Sequence, residues 1–415
     1  MRIVMTQREL SNVAGSEMVT VEVAKTLAAR GHEIAVYSPK IGDVAKLLLP
    51  SGVQVLCELR DAPWTPDLIH GQHHLPAMAA IARFPTSSAI YYCHGTQPWV
   101  ERPPVHGRIG RYVMMCEWMV LRTQAELGLA PERVTFIPNF VNTTRFSEVR
   151  RAPAQIRNAL LFGGSRLPEA ELVQLEAACA ALGIKLDKIG HAYKSHRPRP
   201  EVFLQQYDLV FAIGKCALEA MATGCAVIPI IPGQAGALVT ADTFDEWAFS
   251  NFGPRYFMSS SQINEQWLRK QIDRYSPSDL ERITAKVRVE CTIDVAVDRL
   301  EAIYREAAQA KPAALVADDS FAPYLEQLAK DVDPMWAELE GIHGKLKKLA
   351  EMKAKLREST RAQQHQQVEL LALYRKFHGD HLPRHLRCRE LLHRMWASLR
   401  AQWSRKRLRH VIPAE

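Results

Sequence analysis

The chain has 415 residues, 47% hydrophobic and 24% charged, the balance of a globular protein with room for two domains and an appendage. No window approaches eighteen uninterrupted apolar residues, so no membrane span is expected, and MRIVMTQ opens a strand without a signal-peptide pattern. The net charge of +8 is concentrated between His381 and His410, where nine basic residues meet one acid, so the rest of the chain is balanced and no nucleic-acid binding is expected of it.

Residues 2–7 read as a first strand. GSEMVTVEVAKTLAARGHEIAVYS follows as loop, helix and second strand, with Gly15 and Ser16 opening the helix and Ser16 expected as its N-cap. GVQVL and DLIHGQHH are further strands, the second ending in the polar cluster His70, Gln72, His73 and His74. SAIYYCHGTQPW delivers His94, Gly95 and Thr96 to a loop at a strand end, where open parallel sheets bind ligands. RYVMMCEWMVLRTQAELGL and ERVTFIPNFVN complete the first half. The alternation restarts at NALLFGGSR, runs through GIKLDKIG, and ends in helices near Ala310. Short apolar strands alternating with helices of this length predict two tandem Rossmann-like doubly wound α/β domains, 1–150 and 151–312. The eight cysteines are scattered without a CxxC, so reduced core thiols in the cytosol are expected.

Residues 207–230, YDLVFAIGKCALEAMATGCAVIPI, carry the strongest chemical signal. They predict a buried strand, a tight turn at Gly214, a short helix bearing Glu219, and a second buried strand. The N–H groups near Lys215 and Cys216 would point at a ligand above the turn, an anion site by backbone geometry. Lys215 adds positive charge, and Glu219 follows one turn later on the same side, where a carboxylate can accept from vicinal hydroxyls. Phosphate plus ribose is a natural ligand for that pair; an ordinary strand–turn–helix is the alternative.

ALEAMATGCAVI resembles the nucleotide-sugar motif of family 4 glycosyltransferases with the GT-B architecture. IPNFVNTTRF is similar to that family's linker between domains, and FGGSR to the first strand end of its second domain. The G-K-x-A-L-E-A form is similar to that of a bacterial subset of the family. The resemblance implies a retaining transfer of sugar from a nucleotide-sugar to a cell-surface glycan or lipid-linked acceptor. It assigns the donor ribose to Glu219 and the donor diphosphate to Arg166 beside Gly164. An earlier motif glutamate that contacts the donor sugar falls on Phe211 and is missing, as is a lysine after Arg166, whose charge Lys215 would supply. Gly214, Lys215, Cys216 and Ala217 complete the expected donor site. His94, from the family's H-G, would lie beside the sugar, so His94, Arg166 and Lys215 are the catalytic candidates. Gly15, Ser16 and His73 are expected on the acceptor side. No metal or other cofactor is expected, since the resemblance implies enzymes that work without a divalent ion. A non-catalytic module of the same fold that recruits partners through its tail is the competing reading, and an epimerase a third.

After Ala310 the composition changes. Residues 313–332 read as a linker, and Asp333-Pro334 as the start of a helical region, 333–415. Met335, Leu339, Ile342, Leu346, Leu349 and Leu356 keep a 4-3 spacing broken at Lys353, which suggests either a coiled coil that pairs copies through 335–356 or a helix packed on its own domain. Farther on, Leu392, Met395, Trp396, Leu399 and Trp403 form an apolar stripe among arginines. That composition suits a peripheral anchor on an anionic membrane surface, at the inner face of the membrane.

Overall fold

A computed structural model describes residues 1–11, 13–95, 98–163, 167–190, 193–195, 197, 199–253, 263–309 and 321–378. Residues 1–325 form one compact unit and 326–415 a second. In the first unit, β1 (Arg2–Thr6), β2 (Glu33–Tyr37), β3 (Gln54–Leu56), β4 (Leu68–Gly71), β5 (Ser88–Cys93), β6 (Ile109–Met114) and β7 (Val134–Phe136) make a parallel sheet of order β3-β2-β1-β4-β5-β6-β7. Helices α1 (Gly15–Ala29), α2 (His74–Arg83) and α3 (Glu117–Leu127) connect these strands. All six side chains of β5 are buried, as a strand covered on both faces requires.

A second parallel sheet has the order β11-β10-β8-β9, built from β8 (Asn158–Phe162), β9 (Lys185–Ile189), β10 (Leu209–Phe211) and β11 (Ala226–Ile228). A hairpin of β12 (Ile230–Ile231) and β13 (Gln234–Ala235) follows. The helices of this half are α4 (Glu169–Ala181), α5 (Pro200–Phe203), α6 (Gly214–Thr223), α7 (Phe244–Phe249), α8 (Glu265–Ile272) and α9 (Pro277–Glu290). Alternate β8 residues face opposite cores: Leu160 packs with α6, α7 and α9, whereas Ala159 and Leu161 pack with α4 and α8. Each sheet reverses its strand order beside its first strand, between β1 and β4 and between β8 and β10. Those switch points are where doubly wound sheets open a crevice for ligands. The doubly wound fold class expected from the sequence is the one observed.

Three expectations are corrected. Residues 293–309 form α10 (Ile293–Gln309), which leaves the second half and packs on the first sheet. Its Ile293, Val297, Leu300 and Tyr304 share a core with Ile3, Leu27 and Ile90. Arg30, just past α1, holds it there, 2.6 Å from Asp298, 3.1 Å from Asp294 and 3.4 Å from Glu301. The packing boundary therefore does not follow the 151–312 division. Second, Ala14 rather than Ser16 is the N-cap of α1. Ser16 lies one residue inside the helix and donates to Glu17 Oε2 at 3.0 Å. Third, helix α11 (Phe321–His378) starts twelve residues before Asp333, with Pro334 in its interior. Pro323 occupies the first turn, where its missing N–H has no helical partner to lose. The Phe321 ring lies 4.5 Å from that of His106, so burial of an aromatic at its first turn starts the helix early.

Cys57, Cys93, Cys116, Cys179, Cys216, Cys225 and Cys291 are free thiols, and Cys388 lies outside the described residues. Residues 313–320 and the basic segment 379–415 also lie outside them. Among the described residues, no helix is long and apolar enough to cross a membrane.

Candidate functional site

The chain leaves β10 through Ala212 and Ile213 and turns at Gly214, whose φ of +58° is a conformation that side chains disfavour. Its N–H bonds the carbonyl of Asn251 at 3.1 Å, and Asn251 in turn accepts from the Asn139 amide at 2.9 Å. The N–H groups of Lys215 and Cys216 are left at the start of α6. The helix ends at Gly224, φ +91°, where a Cβ would stand 2.6 Å from the Arg150 carbonyl oxygen. Both ends of this ten-residue helix are thus set by glycine.

The Lys215 side chain does not point into open space. Its ammonium donates to Glu22 Oε2 at 2.8 Å and to the Phe140 carbonyl at 2.9 Å. It lies 3.6 Å from Glu219 and 4.8 Å from the centroid of the Phe140 ring. Arg145 reaches the other oxygen of Glu22 at 3.3 Å and Glu201 at 2.9 Å. Charges therefore alternate along Glu201, Arg145, Glu22, Lys215 and Glu219. Glu22 and Glu219 are buried, and only 9% of the Lys215 side chain is exposed. Burial pulls the Lys215 pKa down, but Glu22 and Glu219 more than reverse this and it ends above the usual value. Burial pushes the Glu219 carboxyl up, Lys215 only partly opposes it, and Glu22 adds repulsion. Among the described residues, the nearest cation to Glu219 is Lys215 at 3.6 Å, farther than either cation stands from Glu22.

Among the other expected donor residues, Ala217 turns its methyl into the second core. Burial pushes the Cys216 thiol up to about 12, so it is neutral. Phe211 is fully buried against α4 and α8, so this position faces the core rather than a ligand. Gly164, Arg166 and Thr96 lie outside the described residues.

At the switch point of the first sheet, His73 sits between β4 and α2 with φ +59°, a sparsely populated conformation that clusters at functional sites. Its Nδ1 accepts from the Arg8 N–H at 3.2 Å, so Nε2 carries the proton and donates to Glu101 at 3.1 Å. Burial alone would raise the Glu101 pKa, but the His73 bond and the neighbouring His94 hold it below the usual value. Among the described residues, its Oε2 is buried with no hydrogen-bond partner.

A second set of bonds runs beneath His94. Gln72 Nε2 donates to His70 Nε2 at 3.0 Å, which leaves the His70 proton on Nδ1 for the Tyr304 hydroxyl of α10. Gln72 Oε1 accepts from Thr20 at 2.9 Å and from His94 Nε2 at 2.5 Å. Burial, aided by His94, pushes His70 down to about 3. Burial also pushes His94 down to about 4 despite the nearby Glu101. Both rings are neutral near pH 7. With its Nε2–H committed to Gln72, His94 keeps Nδ1 as an acceptor. On the α1 side, Ser16 accepts from Gln7 at 3.5 Å, and nothing stands within 4 Å of a Cβ placed on Gly15.

The structure therefore brings His73 and His94 together, with ring centroids 6.2 Å apart, and separately brings Lys215 and Glu219 together. Sequence reasoning missed Glu22, Arg145, Glu101, Gln72 and Tyr304 as partners. Gln72 was visible only as a member of the polar cluster after its strand, and Glu22 left a signal as a lone acid between Val21 and Val23 in an apolar helix.

Residues 13–145 match the model of the family described as Glycosyltransferase Family 4, so the chain carries a domain of that glycosyltransferase type. That domain is one of an enzyme. Solved structures share the GT-B fold. A glycosyltransferase from Rickettsia africae superposes with a TM-score of 0.52 at 13% identity, covering 74% of this chain and 99% of that one. Anabaena HepE, solved with UDP and glucose, gives 0.53 at 12% identity, covering 74% of this chain and all of its own. No curated relative matches.

Removing Lys215 alone would leave the buried Glu219 without its nearest cation and Glu22 with Arg145 alone. Lys215→Met is expected to lower stability by about 3 kcal/mol. Pairing it with Glu22→Leu should recover much of the loss, and urea denaturation of the two variants and the double variant checks this. A second expectation concerns pH. The fold prefers His70 and His94 neutral, so the unfolded chain holds more protons below its ordinary histidine pKa of 6.5. Stability should fall as pH drops from there toward 4, by about 1.4 kcal/mol per pH unit per ring. His70→Gln should flatten that slope; an unchanged slope in urea melts between pH 6.5 and 4.5 would contradict the assignment.

Proposed function

We propose that the chain transfers a sugar from a nucleotide-sugar to a hydroxyl of a cell-surface glycan or lipid-linked acceptor, with retention at the anomeric carbon. The observation that carries this reading is the buried Glu219 carboxylate one helical turn from Lys215, at the start of α6 beside a sheet switch point. Vicinal ribose hydroxyls would donate hydrogen bonds to the Glu219 carboxylate. A diphosphate at the helix start meets free N–H groups and can draw the Lys215 ammonium away from Glu22.

In the proposed reaction the bond from the anomeric carbon to the diphosphate oxygen breaks. The acceptor oxygen bonds that carbon on the same face, and its proton passes to the departing phosphate oxygen. Negative charge grows on the diphosphate as this happens, so Lys215, Arg166 and the α6 N–H groups lower the barrier. Neutral His94 offers Nδ1 as an acceptor to a sugar hydroxyl. Gly15, Ser16 and His73 border the acceptor side, and no metal is assigned a role. Because HepE was solved with UDP and glucose, UDP-sugars are the first donors to try.

Thermal stabilisation by a panel of nucleotide-sugars tests the donor. A ligand at a hundred times its dissociation constant adds about 2.7 kcal/mol. Glu219→Ala should weaken that binding by about 1.5–3 kcal/mol, the range for a hydrogen bond to a charged group. Unchanged affinity would remove Glu219 from the site. Release of nucleoside diphosphate only when an acceptor is added would support transfer over simple binding.

The basic segment after residue 380 is proposed to keep the enzyme at an anionic membrane surface, where a lipid-linked acceptor would be met in two dimensions. The full chain should sediment with anionic vesicles and be released by salt, since each basic residue near such a surface is worth about 1 kcal/mol. Replacing Trp396 and Trp403 with serine should weaken sedimentation, and equal sedimentation would refute the anchor.

A further inference from the structure

Among the described residues, every side chain of α11 between residues 332 and 373 is exposed. The stretch nevertheless holds Pro334, Gly341 and Gly344, the residue types that favour a helix least. Helices in proteins take most of their stability from packing an apolar face, so this one needs a cover. The apolar residues show its shape. Leu328, Met335, Ile342, Leu349 and Leu356 recur every seven residues, and Val332, Leu339 and Leu346 recur every seven residues between them. Apart from the partly exposed Leu328, these eight are 40–69% exposed. Lys353 falls on the second row. Trp336 and Met352 flank these rows, and a stripe centred on two positions in seven fits another helix with the same repeat. Pro334, Gly341 and Gly344 all lie off the stripe, on the outer face.

The charges select the partner and its direction. Two copies running parallel in register would set Lys353 against Lys353 in the seam. Running antiparallel about a point between residues 340 and 341, the copies form layers of Leu339 with Ile342, Met335 with Leu346, and Val332 with Leu349. Leu328 then meets Lys353 at each end, where the lysine stem can cover the leucine and its ammonium can reach water. In that register Glu338 of each copy faces Lys345 of the other across the rim. We propose that α11 pairs with α11 of a second copy of this chain in an antiparallel coiled coil spanning residues 328–353.

Light scattering of the full-length chain at micromolar concentration should give twice the monomer mass. Leu339→Glu combined with Leu346→Glu should give a monomer that still shows the thermal response to donor. Glu338→Lys alone and Lys345→Glu alone should each weaken self-association about tenfold or more. Mixing those two variants should restore dimers, because both rim pairs become opposite in charge again. A monomeric parent chain, a dimer that survives the two leucine substitutions, or a failure of the mixed variants to pair would each overturn the proposal.

Discussion

A lysine ammonium taken out of water is stable only while its acceptors stay in place, and the acceptors of Lys215 come from both halves of the first unit. Glu22 belongs to the first helix of the first sheet, Phe140 to the connection between the sheets, and Glu219 to the same helix as the lysine. Arg145 repeats the pattern, with Glu22 on one side and Glu201 on the other. Buried ion pairs often contribute little beyond an apolar replacement of the same shape, because desolvation offsets attraction. What they do impose is register: neither half can shift against the other without stranding a charge. Burial, with Glu22 as a second carboxylate close by, holds the Glu219 carboxyl above its usual value despite Lys215. If an anion takes Lys215, Glu22 loses its ammonium and the contact between α1 and α6 loosens, so ligand entry and the contact between the halves are coupled through one side chain.

The two switch points divide the chemistry by charge. On the second sheet, the residues around Gly214 offer cations and helix N–H groups. On the first, burial holds His70 and His94 neutral, and a line of amide, hydroxyl and imidazole groups fixes which ring nitrogen of each carries the proton. The two neutral rings suit a sugar, which carries many hydroxyls and no charge, with the Glu101 carboxylate set behind His73, while the cation and helix start of the second sheet suit a diphosphate. The fixed tautomers depend on α10: its Tyr304 reaches His70 only because the helix crosses back to the first sheet, held at its outer side by Arg30. A helix from the end of the unit therefore takes part in setting the state of His94 at the other face of the same core.

Periodicity made the strands and most helices legible, because continuous apolar runs such as SAIYYC can be satisfied only by a strand covered on both faces. The turn at Gly214 and the i, i+4 pair of Lys215 and Glu219 were also readable, since both depend on local geometry. The partners of those residues were not. Glu22 lies 193 positions before Lys215, and Tyr304 lies 234 after His70, and nothing in local spacing encodes such contacts. The crossing of α10 was hidden for the same reason: an amphipathic helix declares that it has a core to face but not which core. Phe211 shows the converse. Its place in the motif resemblance suggested a lost sugar contact, yet the strand geometry turns that position inward, where a phenylalanine fills space among Leu209, Ile228 and the α4 side chains.

The start of α11 shows why a sound local rule can lose. Asp333 followed by Pro334 is a good helix beginning, and read alone it sets the boundary there. Proline inside a helix forfeits one hydrogen bond and crowds the carbonyl four residues earlier. Here that carbonyl belongs to Lys330, on the face away from the apolar stripe, where water can bond it and the helix can bend slightly outward. The loss is therefore local and solvated, whereas starting the helix at residue 333 would forfeit the ordered turns between Phe321 and Val332 and the ring contacts that Phe321 and Tyr324 make with His106 and His74. The sum over three turns outweighs one missing bond, and the helix runs through the proline.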